Sequence, residues 1–211
     1  QSEALAALEL RPDDSLLDIG CGTGAAVRDA ATHVDRAVGF DLSPAMIARA
    51  RTLADGLDNV EFYGGDASER LPFGDGEFTA IVCTTAFHHF PEPAESVREM
   101  ERVLAPGGRV VIADANAEQL GVRILDFMLR RFQRSHVGFY RRAQLEQLLT
   151  SAGLRDPTVG TLWKGGYAVV RADKPGNEPK SGRGRAHPGP SHTTGRAGPH
   201  PAVRSASRKR R

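Results

Sequence analysis

Apolar residues along this chain fall into short runs separated by stretches with helical spacing, an alternation that predicts a layered strand-and-helix fold. Leu16, Leu17 and Ile19 form the first run, broken by Asp18, and RAVGFD (36–41), VEFYGG (60–65), FTAIVCTTAFHHF (78–90, a strand running into a short turn) and RVVIAD (109–114) follow. Such runs read as strands of a buried parallel sheet. Between them lie helix signals. AAVRDAATH begins at Ala25, Ser43 caps a helix with Pro44 at its first position, and PEPAESVREMERVL (91–104) carries Val97, Met100, Val103 and Leu104 at helical spacing. Strands alternating with helices imply a doubly wound, mostly parallel α/β sheet. A helix end rich in Ala and Leu precedes the first strand over 1–10. After Asp114 the pattern loosens. A long, partly exposed helix within 117–134 carries Leu120, Ile124, Phe127, Met128 and Phe132, and a second helix after Tyr140 buries Leu145, Leu148 and Leu149. Residues 158–163 and 166–171 read as a closing antiparallel pair. From Ala172 the chain is rich in Pro, Gly and Arg and has no aromatic residue, so it lacks the apolar surface needed to fold. The expected organisation is one domain over 1–171 and a disordered basic tail over 172–211.

The first strand runs straight into Gly20, Gly22 and Gly24, with a helix start behind them. Glycine tolerates positive φ and lets a ligand approach the backbone, and a helix N-terminus favours an anionic group. Gly20, Gly22 and Ala25 also satisfy the loose dinucleotide pattern, which nicotinamide enzymes share. The strand ends decide between ligands, because doubly wound sheets bind at their carboxyl edge. Here those ends read as acids: Asp18, Asp41, Asp66 and Asp114. A pyrophosphate would be repelled by that row, and a cationic, phosphate-free nucleoside would be favoured. S-adenosylmethionine, with a sulfonium and an ammonium against one carboxylate, has that chemistry. Asp41 lies 21 residues after Gly20, near the spacing of an acid that accepts ribose hydroxyls. The alternative for Asp41 is a strand-end carboxylate capping a turn. Leu42 and Met46 are placed to pack on the adenine, or to serve as core.

At these residues the sequence resembles the class I S-adenosylmethionine-dependent methyltransferases, and within them the type 11 branch that includes ubiquinone and menaquinone biosynthesis methyltransferases. The resemblance runs from about residue 10 to 171. It implies a seven-stranded, Rossmann-like sheet with an antiparallel C-terminal strand, and cofactor contacts from Asp18, Gly20, Cys21, Gly22 and Gly24. It further implies that the Asp66 side chain accepts a bond from the adenine amino group while the Ala67 N–H bonds the ring. An Asx-turn at a strand end is the alternative there. Thr84, through its carbonyl, and Thr85 would lie under the methionine part. The stretch VLAPGGRVVIAD (103–114) is structural in the family. An insert roofs the acceptor pocket, which makes His136, Phe139 and Tyr140 substrate-side candidates, with lid packing the alternative for each, and His89 is a further candidate from before that insert. The CTTA of 83–86 is not the (Asn/Asp)-Pro-Pro-(Tyr/Phe) motif of amino-group nucleic-acid methyltransferases, which argues against a DNA-base methylase. A His-His pair at the place of His88 and His89 recurs in the branch, so these two are the candidates for proton transfer. Adjacent helical residues do not share a face, and no zinc-spaced ligand set lies nearby in sequence. No metal is expected.

Composition adds a charge split. The net charge of +2 conceals ten Lys/Arg against two Asp/Glu over 172–211, which leaves 1–171 at −6. An acidic domain with an apolar roof points to a small, fairly apolar acceptor rather than nucleic acid, apart from non-specific contact through the SRKRR end. Cys21 and Cys83 make no disulfide framework and read as packing residues of a reducing cytoplasm. No apolar run approaches the ~20 residues of a membrane span, and no signal-peptide pattern opens the chain. A chain that does not begin with Met reads as processed, trimmed or a fragment. The overall reading is a cytoplasmic S-adenosylmethionine-dependent methyltransferase, a monomer or weak dimer. A binding-only methyltransferase-like protein and a nicotinamide oxidoreductase are the rival classes.

Overall fold

The apolar runs become strands with the expected bounds almost throughout. They are β1 (Ser15–Ile19), β2 (Arg36–Asp41), β3 (Val60–Gly64), β4 (Phe78–Thr84), β5 (Leu104–Ala115), β6 (Arg155–Leu162) and β7 (Tyr167–Asp173). These come from a computed structural model that describes residues 2–132 and 136–177. The seven strands form one sheet in the order β3-β2-β1-β4-β5-β7-β6. Neighbours from β3 to β5 are parallel, whereas β7 runs antiparallel to both β5 and β6. The β1 ladder pairs Leu16 with Ala37 and Ala80, and Asp18 with Gly39 and Val82. That register lines up the carboxyl ends of β1, β2 and β4, the edge where ligands bind in such sheets.

Alternation along the strands divides the core between two faces. Leu17, Ile19, Ile81, Val110 and Ile112 pack with α4 (Pro93–Val103) and α6 (Arg142–Ser151) through Val97, Met100, Leu145 and Leu149. Leu16, Ala80, Val82 and Val111 face the other way, against α1 (Ser2–Leu8) and α2 (Ala25–Ala30). A third cluster joins α2 to α3 (Pro44–Leu53) over β2 and β3 through Val27, Ile47, Ala50 and Phe62. The cap on α3 is as expected, Ser43 Oγ accepting from the Met46 N–H at 3.4 Å. At the amino edge of the sheet, Arg109 is clamped to buried Asp14 and to the Leu8 and Glu9 carbonyls. Burial opposes ionisation of Asp14, but the hydrogen bonds from Arg109 and Thr79 prevail and hold its pKa down at about 2.

Several details differ from the sequence expectation. The APGG stretch is no free turn: residues 105–108 belong to β5, a strand of 12 residues, because Gly107 and Gly108 pair with the Lys174 backbone. The helix after Asp114, α5 (Leu120–Phe132), buries none of its residues and leaves Phe127 and Phe132 largely exposed. Leu148 of α6 is half-buried, while Leu145 and Leu149 are buried. β7 continues to Asp173. The proposed tail lies outside the described residues from 178 onward. Among the described residues no helix is long and apolar enough to cross a membrane.

Candidate functional site

The glycine loop takes its shape from three positive φ angles, +77° at Gly20, +54° at Gly22 and +74° at Gly24. A side chain at Gly20 would overlap Cβ of Ala86, and one at Gly24 would meet the Phe62 ring at 2.6 Å. Four of the loop's N–H groups are directed inward. Those of Gly20 and Cys21 donate to the Phe40 carbonyl at 2.7 and 3.1 Å, and that of Gly24 donates to Cys21. The Gly22 N–H donates to Asp41 Oδ2 at 2.8 Å. Donors committed in this way are not offered to a diphosphate, which needs free backbone N–H groups.

Beneath the loop lies Asp18, 1% exposed. Neither of its carboxylate oxygens has a hydrogen-bond partner. Burial, reinforced by the charge of Asp41, raises its pKa to about 7. A buried carboxylate without a donor is costly, and a cationic ligand removes that cost. Asp41 is differently placed. Besides the Gly22 N–H, its Oδ1 accepts the Ser43 N–H at 2.8 Å. A carboxylate offers about four acceptor directions, so capacity remains for two hydroxyls.

Gly20 and Asp41 border a cleft of about 490 Å³ over the carboxyl edge, lined also by Leu42, Asp66 and Ala67, with Phe40, Ala86, His89, Phe90, Pro91 and Val137 among its walls. Six expected site residues thus meet there: Gly20, Asp41, Leu42, Asp66, Ala67 and His89. Asp66 forms the Asx-turn weighed as its alternative, accepting the Ser68 N–H at 2.8 Å through Oδ1, and it faces the cleft as well. Asp18, Cys21, Gly22, Gly24, Met46 and Thr84 are not part of the lining. Asp18, Cys21 and Thr84 are buried behind it, whereas Met46 is exposed on α3. The row of four acids is therefore reduced at the surface of the cleft to Asp41 and Asp66. Asp114 is turned aside: its carboxylate accepts the His88 N–H at 2.9 Å, the Ala115 N–H at 2.7 Å, and faces His88 Nδ1 at 2.9 Å.

The roof is smaller than expected. α5 contributes nothing to the lining, and the segment after it folds back so that the Val137 and Gly138 N–H groups donate to the His88 carbonyl. Val137 thereby enters the cleft. Among the substrate-side candidates, Tyr140 packs on Phe87, and His136 and Phe139 stack beside His88. These three pack behind the wall. Of the His pair, His88 is buried against Asp114 and His89 reaches the cleft. Burial raises the pKa of both thiols, Cys21 and Cys83.

Comparison with known proteins decides what this edge belongs to. Residues 17–112 match the family model described as a methyltransferase domain. The chain is 34% identical over 169 residues to an uncharacterised 37.1 kDa protein of transposon TN4556 from Streptomyces fradiae, covering 75% of this chain and 48% of that one. It is 39% identical over 111 residues to the 27-O-demethylrifamycin SV methyltransferase of Amycolatopsis mediterranei, covering 51% and 40%. The crystal structure of YcgJ from Bacillus subtilis superposes with a TM-score of 0.71 at 21% identity, covering 83% of this chain and 99% of that one.

The chain carries a methyltransferase domain over residues 17–112, similar to the S-adenosylmethionine-dependent methyltransferases of the type 11 branch.

It spans about half the length of the curated relatives it matches. The methyltransferase loop was legible in sequence. What sequence reasoning missed were Phe40, Ala86, Phe90, Pro91 and Val137 in the cleft wall, and Asp126, which holds His136. Phe40 and Ala86 carry a signal in hindsight: each adjoins a motif residue, Asp41 or Thr85.

Proposed function

We propose that this chain transfers a methyl group from S-adenosylmethionine to a small, fairly apolar acceptor. The observation that carries this reading is the loop with inward N–H groups above a partnerless buried carboxylate, Asp18. That arrangement suits a cationic ligand and disfavours a diphosphate. When bound, S-adenosylmethionine supplies an activated methyl group. The residues hold and orient. Asp41 accepts the ribose hydroxyls, fixed in place by the Gly22 and Ser43 N–H groups. Asp66 and Ala67 recognise the adenine edge against Leu42, and Asp18 balances the ammonium. Phe90, Pro91 and Val137 make the remaining wall apolar, which supports an apolar acceptor and excludes water from the transfer. Rate acceleration then comes mainly from alignment.

The relative that acts on 27-O-demethylrifamycin SV supports a small-molecule acceptor. Within the same reading the chain is cytoplasmic, a monomer or weak dimer, with no nucleic-acid substrate and 1–171 as its catalytic domain. Thermal melts with S-adenosylmethionine, S-adenosylhomocysteine and NAD test the cofactor, since a ligand of the native state raises the midpoint. The first two should raise it and NAD should not. Labelled-methyl transfer to a panel of quinols, phenols and amines tests the activity. Stabilisation by NAD alone overturns the cofactor assignment, and binding without turnover on any acceptor favours a binding-only protein.

A further inference from the structure

Three histidines from two segments meet beside the cleft. One ring nitrogen from each of His88, His89 and His136 lies within 4.8 Å of those of the other two. The rings of His88 and His89 are 3.9 Å apart between centroids, and those of His88 and His136 are 5.3 Å apart. Two of the three are oriented by carboxylates. His88 Nδ1 lies 2.9 Å from both oxygens of Asp114. His136 Nε2 lies 2.7 Å from Asp126 Oδ1, an oxygen that also accepts the Phe139 N–H. A carboxylate facing a neutral imidazole calls for an N–H, which assigns the proton to Nδ1 of His88 and to Nε2 of His136. Each ring then turns a lone pair away from its carboxylate. On His136 that atom, Nδ1, is buried and has no hydrogen-bond partner, and the side chain is 0% exposed.

A buried lone pair with no donor is costly, and a metal cation is a partner that relieves it. Imidazoles whose far nitrogen donates to a carboxylate are the usual form of histidine metal ligands. We propose that His88, His89 and His136 bind one divalent transition-metal ion of the zinc class. Neutral nitrogen ligands suit that class rather than magnesium or calcium, and Asp114 and Asp126 serve as outer partners. Tetrahedral zinc at 2.0–2.1 Å from nitrogen sets its ligands about 3.3 Å apart. The nitrogens therefore close by at most about 1.5 Å from their present separation. Rotation of His89, the most exposed of the three, supplies much of that. Three protein ligands leave a coordination position for water. The ion would pin the segment around Val137, already bonded to the His88 carbonyl, against the cleft wall.

The test uses the full chain stripped with a chelator. The tail carries His187, His192 and His200, so the parent is a variant with these three changed to Ala. Calorimetric titration of the parent with ZnCl2, with bound zinc counted by elemental analysis, should give one ion per chain. His89→Ala and His136→Ala should each abolish stoichiometric binding, and Asp126→Asn should weaken it by about 10–100-fold. Circular dichroism reports whether each variant folds, and if His136→Ala does not, His89→Ala and Asp126→Asn decide. The proposal is overturned if the parent binds less than stoichiometric zinc, or if His89→Ala binds it as tightly as the parent.

Discussion

Replacing Asp18 by Asn separates stability from ligand binding, because one unpaired carboxylate governs both. In the folded protein its pKa stands at about 7 against an ordinary 3.8. Between those values the native state holds a proton that the unfolded chain has released, so stability falls as pH rises through this window. Below about pH 4 the group is protonated in both states and costs nothing through ionisation. Above about pH 7 it is charged in both, and the full difference applies. At 1.36 kcal/mol per pH unit that difference is about 4 kcal/mol, and relaxation around the charge reduces it to about 2–4 kcal/mol. Asp18→Asn carries no such charge, so the ligand-free variant should gain on wild type steadily between pH 4 and 8. The same variant should bind S-adenosylmethionine more weakly at pH 8, having lost the counter-charge for the ammonium. Urea denaturation at pH 4.5, 6, 7 and 8, followed by tryptophan fluorescence and circular dichroism, measures the first effect. A stability difference that stays flat across this range refutes the assignment of an uncompensated charge to Asp18.

Other perturbations reach other parts of the account. Asp41→Ala should weaken S-adenosylmethionine binding by about 1–3 kcal/mol through lost hydrogen bonds to the ribose, read as a change in dissociation constant; an unchanged constant removes that role. Gly20→Ala meets both a left-handed backbone and the Ala86 side chain, so chemical denaturation should show a loss of about 2 kcal/mol or more. Arg109→Met leaves Asp14 buried without its partner and should cost about 3–5 kcal/mol by the same measurement. Because the Asp14 pKa is depressed to about 2, the stability it contributes is present above about pH 4 in wild type. It should fade as pH falls toward 2, and the variant should lack that dependence. Thr85, the residue after β4, holds φ at +54°, and Thr85→Gly should raise stability by about 0.5–1 kcal/mol as strain relief outweighs added chain entropy.

The parts of the molecule readable from sequence are those in which neighbours along the chain carry the information. β1, β2 and β4 are buried on both faces, so their runs are apolar enough to mark their bounds. Ser43 followed by Pro44 fixes the start of α3, and the glycines of the loop betray their φ angles by being glycines. Where contacts join distant segments, the sequence was silent. Asp114 sits at a strand end like Asp41, yet its carboxylate is taken up by His88, a pairing set by the β4–β5 crossover. Asp14, just before β1, comes within reach of Arg109 only because the β1–β4–β5 register sets Leu16, Ala80 and Arg109 side by side. As sequence neighbours alone, His88 and His89 make a poor metal pair. His136 joins them because the backbone after α5 bonds back to the His88 carbonyl, and no periodicity announces that. The length of the amphipathic stretch 117–134 predicted α5, but amphipathicity alone did not reveal that none of its residues is fully buried and that Phe127 and Phe132 stand largely exposed.

The most direct test of the central claim is a crystal structure of the full chain grown with S-adenosylmethionine. The account predicts the nucleoside in the cleft over Gly20, its ribose hydroxyls on Asp41, and its ammonium within direct or one-water reach of Asp18. A ligand seated elsewhere, or an Asp18 carboxylate still without a polar partner in the complex, would contradict it.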